Sequence, residues 1–113
     1  EQVERVSSYF LSHLNPNGIS SYGLKKDETI LDSSATCIAA HALTNLAKYT
    51  SREDLLKSAR KLQKNLITYC LQPEIKDDRQ GIIENACHDL NKKEYVDASL
   101  IYGDAYFLDS LIV

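Results

Sequence analysis

Polar side chains that could contact a ligand are concentrated in three short stretches: Asp32-Ser33-Ser34, Asn85-Ala86-Cys87-His88-Asp89 and Tyr102-Gly103-Asp104. A histidine such as His88 can exchange hydrogen bonds with a sugar hydroxyl, and a tyrosine such as Tyr102 can stack on a sugar ring. Each residue also has an ordinary explanation, because a loop histidine is often only solvated and a tyrosine at helical spacing often belongs to the core. The stretches are therefore candidates for a binding site.

The carboxylates Asp32 and Asp104 stand where apolar periodic segments begin. An aspartate in that place accepts hydrogen bonds from the first free N–H groups of a helix and complements the positive end of its dipole. We therefore predict that both residues cap helices and that each cap contributes ~1 kcal/mol to stability. Ser51, three residues ahead of Asp54, predicts a capping box at the start of another helix.

The histidines and cysteines have none of the spacings typical of metal sites, since neither HExxH nor CxxC occurs. The histidines are His13, His41 and His88, and the cysteines are Cys37, Cys70 and Cys87. We expect no metal and no cofactor. An odd number of cysteines favours reduced, packed thiols in a cytoplasmic protein. His13 is expected to contact carbonyls in the last turn of a helix.

The composition predicts one soluble globular unit, with 113 residues of which 43% are hydrophobic and 26% charged. A net charge of −3 gives no basic surface for a phosphate backbone, which argues against nucleic acid as a partner. No apolar stretch approaches the roughly 20 residues that span a bilayer, so we expect no membrane span. The chain has no methionine and begins inside a predicted helix, from which we expect that its natural start is missing.

Four helices are predicted to position these residues. In the first, Val3, Val6, Phe10 and Leu14 share one face, and the helix ends before the turn Asn15-Pro16-Asn17-Gly18. Residues 19–30 are predicted to be a surface loop.

The second helix is expected to begin at the stretch containing Asp32 and the third after residues 50–54. The predicted buried face of the second consists of Ala35, Ile38, Ala39, Ala42, Leu43 and Leu46. That of the third consists of Leu55, Leu56, Ala59, Leu62, Leu66 and Ile67, with Lys57, Arg60, Lys61 and Lys64 outward. The many small residues favour an inner second helix, and the charged face favours an outer third helix.

A long connection is predicted around Pro73 and residues 76–79, followed by short extended pieces between residues 81 and 101. The last helix is predicted to begin near Gly103-Asp104 and to bury Phe107, Leu108 and Leu111. Alternating inner and outer helices are typical of a helical toroid or solenoid. The sequence therefore predicts an all-α fold with room for one short β-hairpin.

Two segments, residues 32–40 (DSSATCIAA) and 99–111 (SLIYGDAYFLDSL), resemble the C-terminal signature of unsaturated glucuronyl hydrolases of the glycoside hydrolase family 88 type. Their order and separation also fit, so that the resemblance spans almost the whole chain. It implies that residues 1–113 are the C-terminal portion of an (α/α)6 barrel, a closed ring of paired helices.

The resemblance also implies a function. Members of the family remove 4,5-unsaturated glucuronic acid from the oligosaccharides that polysaccharide lyases release, by hydration of the vinyl ether of the sugar. Their two essential aspartates lie upstream of this portion, which implies no catalytic residue here and an inactive isolated fragment. The substrate-binding residues implied are Cys87, His88, Asp89 and Tyr102.

The sequence departs from the family pattern in several places. The loop containing His88 lacks the aromatic residue of the family and also the serine and lysine residues that hold sulfate in some members, so a sulfated sugar is less favoured. Further departures are Tyr22, Leu31, Ala105 and Asp109. They weaken the expectation of full activity for the intact protein.

An alternative class is a helical-repeat module that binds a peptide, as in tetratricopeptide proteins. No period of 34 residues supports it. A polar cleft lined by His88, Asp89 and Tyr102 would favour a sugar, whereas an open apolar or basic groove would favour a peptide. Because a piece of a barrel exposes apolar faces, we also expect this chain to associate with itself.

Overall fold

The computed structural model describes residues 1–24, 28–72 and 81–112. Its elements are α1 (Gln2–Ser12), a 3-10 turn (Tyr22–Leu24), α2 (Ser33–Thr50), α3 (Glu53–Tyr69), β1 (Ala86–Asp89), β2 (Glu94–Ala98) and α4 (Ile101–Leu111). The prediction of a mostly helical fold with one short hairpin is confirmed. The predicted connection around residues 73–79 lies outside the described residues.

Helix α2 is the centre of the fold because it packs against both α3 and α4. Two clusters of buried side chains lie along it. One joins the middle of α2 to α3 and consists of Ala40, Leu43, Ala47, Leu55, Ala59 and Leu62. The other lies at the N-terminal end of α2 and consists of Ile19, Cys37, Leu66, Cys70, Ile83 and Phe107. The second cluster supports the end of the fold where the three polar stretches meet.

The predicted buried face of α2 is wrong in its orientation. Leu43 is buried as expected, but Ile38 is 40% exposed. The residues buried instead include Thr36, Cys37, Ala40, Thr44 and Ala47. The threonines tolerate burial because they are hydrogen-bonded: Thr44 Oγ1 donates to Ala40 O at 2.8 Å, and Thr36 Oγ1 accepts from Ser20 N at 2.9 Å.

The predicted surface loop of residues 19–30 is wrong at its beginning, since Ile19, Ser20 and Ser21 are buried. The Asn15 side chain turns the chain inward by accepting hydrogen bonds from the backbone N–H groups of Asn17 and Ile19. Ser20 then donates its hydroxyl to the Asp32 carbonyl oxygen at 2.7 Å. This segment consequently becomes part of the wall around the N-terminus of α2.

The other helices follow the predicted pattern with local differences. Helix α1 ends before Asn15, and His13 Nδ1 lies 2.8 Å from the Tyr9 carbonyl, as expected for a histidine in the last turn. Helix α3 buries its leucine face, although Ile67 is exposed. Its lysine-rich face points outward as predicted, with Lys57, Arg60, Lys61 and Lys64 exposed.

Helix α4 begins at Ile101, earlier than predicted, and buries Phe107 and Ser110, whereas the predicted Leu108 and Leu111 are exposed. The polar groups of the buried Ser110 have partners, since its carbonyl oxygen accepts a hydrogen bond from Gln63 Nε2 of α3 at 2.7 Å. The contact between α3 and α4 is thus made by the polar pair Gln63 and Ser110 rather than by Leu108 and Leu111.

The predicted capping box at Ser51 is also wrong. Ser51 adopts the left-handed conformation at the C-terminus of α2, with φ of 55°. Arg52 precedes α3 without a side-chain cap and instead forms ion pairs with Asp54 and with Glu4 of α1. The connection between α2 and α3 is therefore held by an exposed arginine.

The hairpin is antiparallel, with pairs Ala86↔Ala98, Cys87↔Val96 and Asp89↔Glu94 and an irregularity after the first pair. It contacts α2 through β1. None of the helices in residues 1–24, 28–72 and 81–112 has the length and apolar character needed to cross a membrane.

Candidate functional site

The three polar stretches meet where α2 and α4 begin beside strand β1. Cys87 N donates to Asp32 Oδ1 at 3.3 Å, and His88 Nδ1 lies 3.3 Å from the Tyr102 hydroxyl. Gly103 permits the close approach of the two helices, since a Cβ there would lie 3.2 Å from Ser34 Cβ. We call this group of residues, Asp32, Ser34, Cys87, His88 and Tyr102, the hairpin site.

Asp32 stands at the N-cap position of α2, yet its side chain makes no cap hydrogen bond. Its Oδ1 instead accepts from Ser34 Oγ at 2.5 Å and from Cys87 N. The prediction of a capping aspartate is therefore wrong, because donors from the serine and from the hairpin replace the donors of its own helix. The carboxylate fixes strand β1 to the start of α2.

Asp104 was also predicted as a cap, and this prediction is wrong as well. It lies within the first turn of α4, which begins at Ile101. Its Oδ2 accepts from Ile82 N and its Oδ1 from Ile83 N, both at 2.9 Å. Both oxygens thus hold the segment that leads into β1, and Asp32 and Asp104 together attach the hairpin to the two helices.

The Cys87 side chain is only 3% exposed, because it faces inward from β1. Burial is the main cause that raises its thiol pKa, and the negative charges of Asp32, Asp89 and Glu28 add to it. The thiol therefore stays protonated at neutral pH and is a poor nucleophile. What Cys87 gives to the site in this arrangement is its backbone N–H group, bonded to Asp32.

His88 and Tyr102 form the exposed part of the hairpin site. Tyr102 is 37% exposed, and its pKa is raised by partial burial and by the charge of Asp32, while a hydrogen bond with Ser34 lowers it. The phenol is therefore neutral near pH 7. An imidazole and a phenol side by side can exchange hydrogen bonds with hydroxyl groups of a ligand.

Tyr95 is the residue that sequence reasoning missed. Its ring centroid lies 6.2 Å from that of His88 in an edge-on arrangement, and it is exposed. We expected no aromatic side chain in this loop, but strand β2 supplies one from the other arm of the hairpin. Its only signal in the sequence was the alternation of side chains along a strand that pairs with β1, and the register of that pairing cannot be read from the sequence.

Asp89 has a local role in the hairpin. Its Oδ1 accepts a hydrogen bond from Lys92 N at 3.1 Å, across the turn between β1 and β2. The residue lies at the end of β1, one position beyond His88. Its charge is therefore close to the hairpin site, and one of its oxygens stabilises the turn.

His41 lies outside the hairpin site. Its Nε2 is 3.1 Å from Asn45 Nδ2, and its ring packs on that of Tyr106 with centroids 5.2 Å apart. These contacts are those of a packed histidine. In the part of the chain that the structure describes, no group of three or more potential metal ligands comes together.

Several concave surfaces surround these elements. A cavity of about 240 Å³ adjoins the hairpin and is lined by Thr29, Ile30, Leu31, Asn85 and Asp97. A cleft of mixed polarity, of about 450 Å³, lies between the turn after α1 and the side of α3. An apolar groove of about 330 Å³ runs between α1 and α2 and is lined by Val6, Phe10, Ala35, Ile38, Ala39 and Ala42.

The fold is similar to crystal structures of unsaturated glucuronyl hydrolases. The Streptococcus agalactiae enzyme superposes with a TM-score of 0.83 at 24% identity over 94% of this chain and 28% of its own. A point variant of it matches equally well over 32% of its length. The enzyme of Bacillus sp. GL1, described as responsible for glycosaminoglycan degradation, gives 0.82 at 21% identity over 96% of this chain and 31% of its own.

The chain spans about a third of the length of these structures. At such identities the likeness establishes the fold, that of a segment of a helical toroid. No family model matches the sequence, and no curated protein matches it significantly.

Proposed function

We propose, with this shared fold as the premise, that residues 1–113 are the C-terminal portion of an (α/α)6 barrel hydrolase. The intact enzyme would remove 4,5-unsaturated glucuronic acid from lyase-generated oligosaccharides by hydration of the vinyl ether. The observation that supports this most directly is the exposed group of His88, Tyr102 and Tyr95 at one end of the helices. Such a group offers both hydrogen bonds and an aromatic face to a sugar.

In this proposal the hairpin site binds the substrate and does not protonate it. Asp32 and Asp104, the carboxylates that join the hairpin to the helices, accept hydrogen bonds from backbone and hydroxyl donors. Because these oxygens hold the hairpin in place, neither carboxylate is proposed as the acid that protonates the vinyl ether. The catalytic acid is therefore proposed to lie elsewhere in the longer enzyme.

The proposed substrate-binding residues are Cys87, His88, Asp89 and Tyr102. Cys87 would act indirectly, by holding strand β1 to Asp32 through its backbone N–H, and Asp89 would act through its carboxylate. Three carboxylates, Asp32, Asp89 and Glu28, act on the Cys87 thiol and give this end of the hairpin a negative character. An unsulfated sugar residue next to the uronate fits such a surface better than a sulfated one.

The enzyme is proposed to be cytoplasmic. Its thiols at Cys37, Cys70 and Cys87 are all free, as a reducing compartment would leave them.

The decisive experiment follows the absorbance of the unsaturated uronate in unsulfated glycosaminoglycan disaccharides. We expect the full-length gene product to abolish this absorbance and the 113-residue chain to leave it unchanged. Full activity in the isolated chain would refute the assignment of the acid to another part, and inactivity of the full-length product on every unsaturated disaccharide would refute the hydrolase.

Variants of the full-length product test the role of the site. His88→Ala and Tyr102→Phe should raise KM more than they lower kcat, because they remove contacts to bound substrate. Tyr106→Phe is the matched control, since its ring packs on His41 away from the hairpin site. An equal effect of all three substitutions would contradict a binding role for the hairpin site.

One observation favours the alternative of a peptide-binding module. The apolar groove between α1 and α2 is open, and all of its lining residues except Ser7 are apolar. An amphipathic helix could dock there through residues spaced by three and four. A fluorescent amphipathic peptide whose binding is abolished by Ile38→Glu, in a protein with no effect on unsaturated disaccharides, would establish this function instead.

A further inference from the structure

We propose that Tyr95 is a specificity-determining residue that binds the sugar next to the uronate through the face of its ring. The inference rests on the proposed function, because it names the contact by which the hairpin would hold that sugar. It adds a residue of strand β2 to the proposed binding residues of β1 and α4. Three features of Tyr95 support it: its position, its exposure and the backbone conformation that carries it.

Tyr95 lies on the outer face of the hairpin, opposite His88. The backbone pairs on either side of them, at Cys87 and at Asp89, make the two residues cross-strand neighbours. Cys87 faces the interior, and the alternation of side chains along β1 therefore directs His88 outward. The rings of His88 and Tyr95 meet at an interplanar angle of 79°. Both rings are thus presented on one surface of the hairpin.

The ring of Tyr95 contributes little to the packing of the fold. The residue is 68% exposed, compared with 37% for Tyr102. Its ring contact is with His88, which is itself exposed. Removal of the ring would therefore return little apolar area to water. The fold alone gives no reason for a large aromatic side chain at this position.

The backbone at Tyr95 is unfavourable for such a side chain. Its φ is 49°, in the left-handed region, where contacts of the Cβ atom are costly and which glycine adopts freely. Asp97 in the same strand has a φ of 53°, but aspartate tolerates this conformation better than tyrosine does. Strained residues of this kind are concentrated at sites that contact ligands. Strain and exposure together indicate that the Tyr95 ring serves a ligand.

The ligand chemistry follows from the ring. A pyranose presents C–H groups on its faces, and these pack on the face of a phenol. Hydroxyl groups at the rim of the same sugar can exchange hydrogen bonds with His88 and Tyr102, whose polar atoms lie 3.3 Å apart. A small alcohol in place of the second sugar offers no face to stack. Tyr95 should therefore favour uronates that are attached to a second sugar.

The first test measures this preference in the full-length gene product. The substrates are the unsulfated unsaturated disaccharide and the methyl glycoside of the unsaturated uronate, and the readout is the ratio of their kcat/KM values. Tyr95→Ala should lower the preference for the disaccharide about fivefold, mainly through KM, since aromatic stacking contributes ~1 kcal/mol. Tyr95→Phe keeps the ring face and should restore most of the preference.

The matched control is Tyr69→Ala, which removes another exposed tyrosine, 51% exposed at the end of α3. Tyr69 lies outside the hairpin site, and its removal should leave the preference unchanged. His88→Ala serves as the reference for loss of sugar binding by the hairpin. An equal effect of Tyr69→Ala and Tyr95→Ala would contradict a specific role for Tyr95.

The second test examines the strain by urea unfolding of the 113-residue chain. In an ordinary strand glycine is less stable than alanine, but at a left-handed position the order is reversed. Tyr95→Gly should therefore unfold at a higher urea concentration than Tyr95→Ala, although both variants lose the ring. Glu94 is an exposed neighbour outside the left-handed region, so Glu94→Gly should unfold at a lower urea concentration than Glu94→Ala.

The results distinguish this inference from the proposed function. If His88→Ala raises KM for the disaccharide and Tyr95→Ala does not, the hairpin binds sugar and the role of Tyr95 is wrong. If Tyr95→Phe loses as much preference as Tyr95→Ala, the hydroxyl binds the sugar and stacking is refuted. A lower stability of Tyr95→Gly than of Tyr95→Ala would remove the strain and overturn the inference drawn from it. Inactivity of the wild type on both substrates would refute the proposed function, and this inference with it.

Discussion

The carboxylate of Asp104 is the single side chain whose removal should most loosen the hairpin. It holds two consecutive backbone N–H groups, those of Ile82 and Ile83, at 2.9 Å each. Asp104→Ala deletes both acceptors and leaves the donors without a partner. We therefore predict a large loss of stability from a substitution that creates almost no cavity.

The magnitude follows from the burial of the two donors. Ile83 is 2% exposed, so its orphaned N–H should cost about 2 kcal/mol. Ile82 is half-buried, and water can partly replace the carboxylate there, which reduces its share to about 1 kcal/mol. The total of about 3 kcal/mol corresponds to a fall in Tm of about 12 °C for a chain of this length.

Urea unfolding followed by far-ultraviolet circular dichroism measures this difference. Asp104→Asn keeps one acceptor oxygen and should lose about half as much stability. Asp109→Ala, at an exposed position of the same helix, is the control and should stay within ~0.5 kcal/mol of the wild type. If Asp104→Ala is as stable as Asp109→Ala, the role assigned to the two backbone hydrogen bonds is refuted.

Three further predictions concern packing, ionisation and association. Gly103→Val should destabilise the chain by ~2 kcal/mol in urea unfolding, because the side chain meets Ser34, whereas Ala105→Val at an exposed position should be almost neutral. Burial raises the pKa of Cys37 from 9.0 to about 12, so the unfolded chain loses this proton at lower pH than the folded chain. The stability that the buried neutral thiol contributes is complete below pH 9 and is lost as the pH rises towards 12. The difference in unfolding free energy between wild type and Cys37→Ala should therefore shrink by ~2 kcal/mol between pH 8 and 10.5. A difference that stays constant over this range would contradict the prediction. Light scattering after size exclusion at micromolar concentration should find dimers or larger species. Val6→Glu in the apolar groove should reduce their proportion, and a wild-type chain that is only monomeric would contradict the predicted self-association.

Helix α3 could be predicted from sequence because its two faces differ strongly in polarity. Leucines recur at spacings of three and four, and lysines occupy the opposite side. Helix α2 offers no such contrast, since alanine, serine, threonine and cysteine occur on all sides. Its buried face depends on which hydroxyls find partners, for example Thr36 with Ser20, and such partners come from distant parts of the chain.

The same reason explains the errors at the candidate site. Local patterns correctly indicated that Asp32 and Asp104 stand near helix starts. Capping is the local solution for such an aspartate, but tertiary donors from Cys87 and Ile82 compete with it and prevail. The position of Tyr95 required the register of a hairpin with an irregularity, which the sequence does not specify.

The attachment of the hairpin through Asp32 and Asp104 has a consequence for how this surface can change over evolutionary time. Both carboxylates accept hydrogen bonds from main-chain N–H groups, and every amino acid except proline has such a group. These hydrogen bonds do not depend on which side chains the hairpin exposes. Substitutions on the outward face of β1 and β2 can therefore change the exposed side chains while these hydrogen bonds remain. Proline at Ile82, Ile83 or Cys87 is the replacement that would remove one of them.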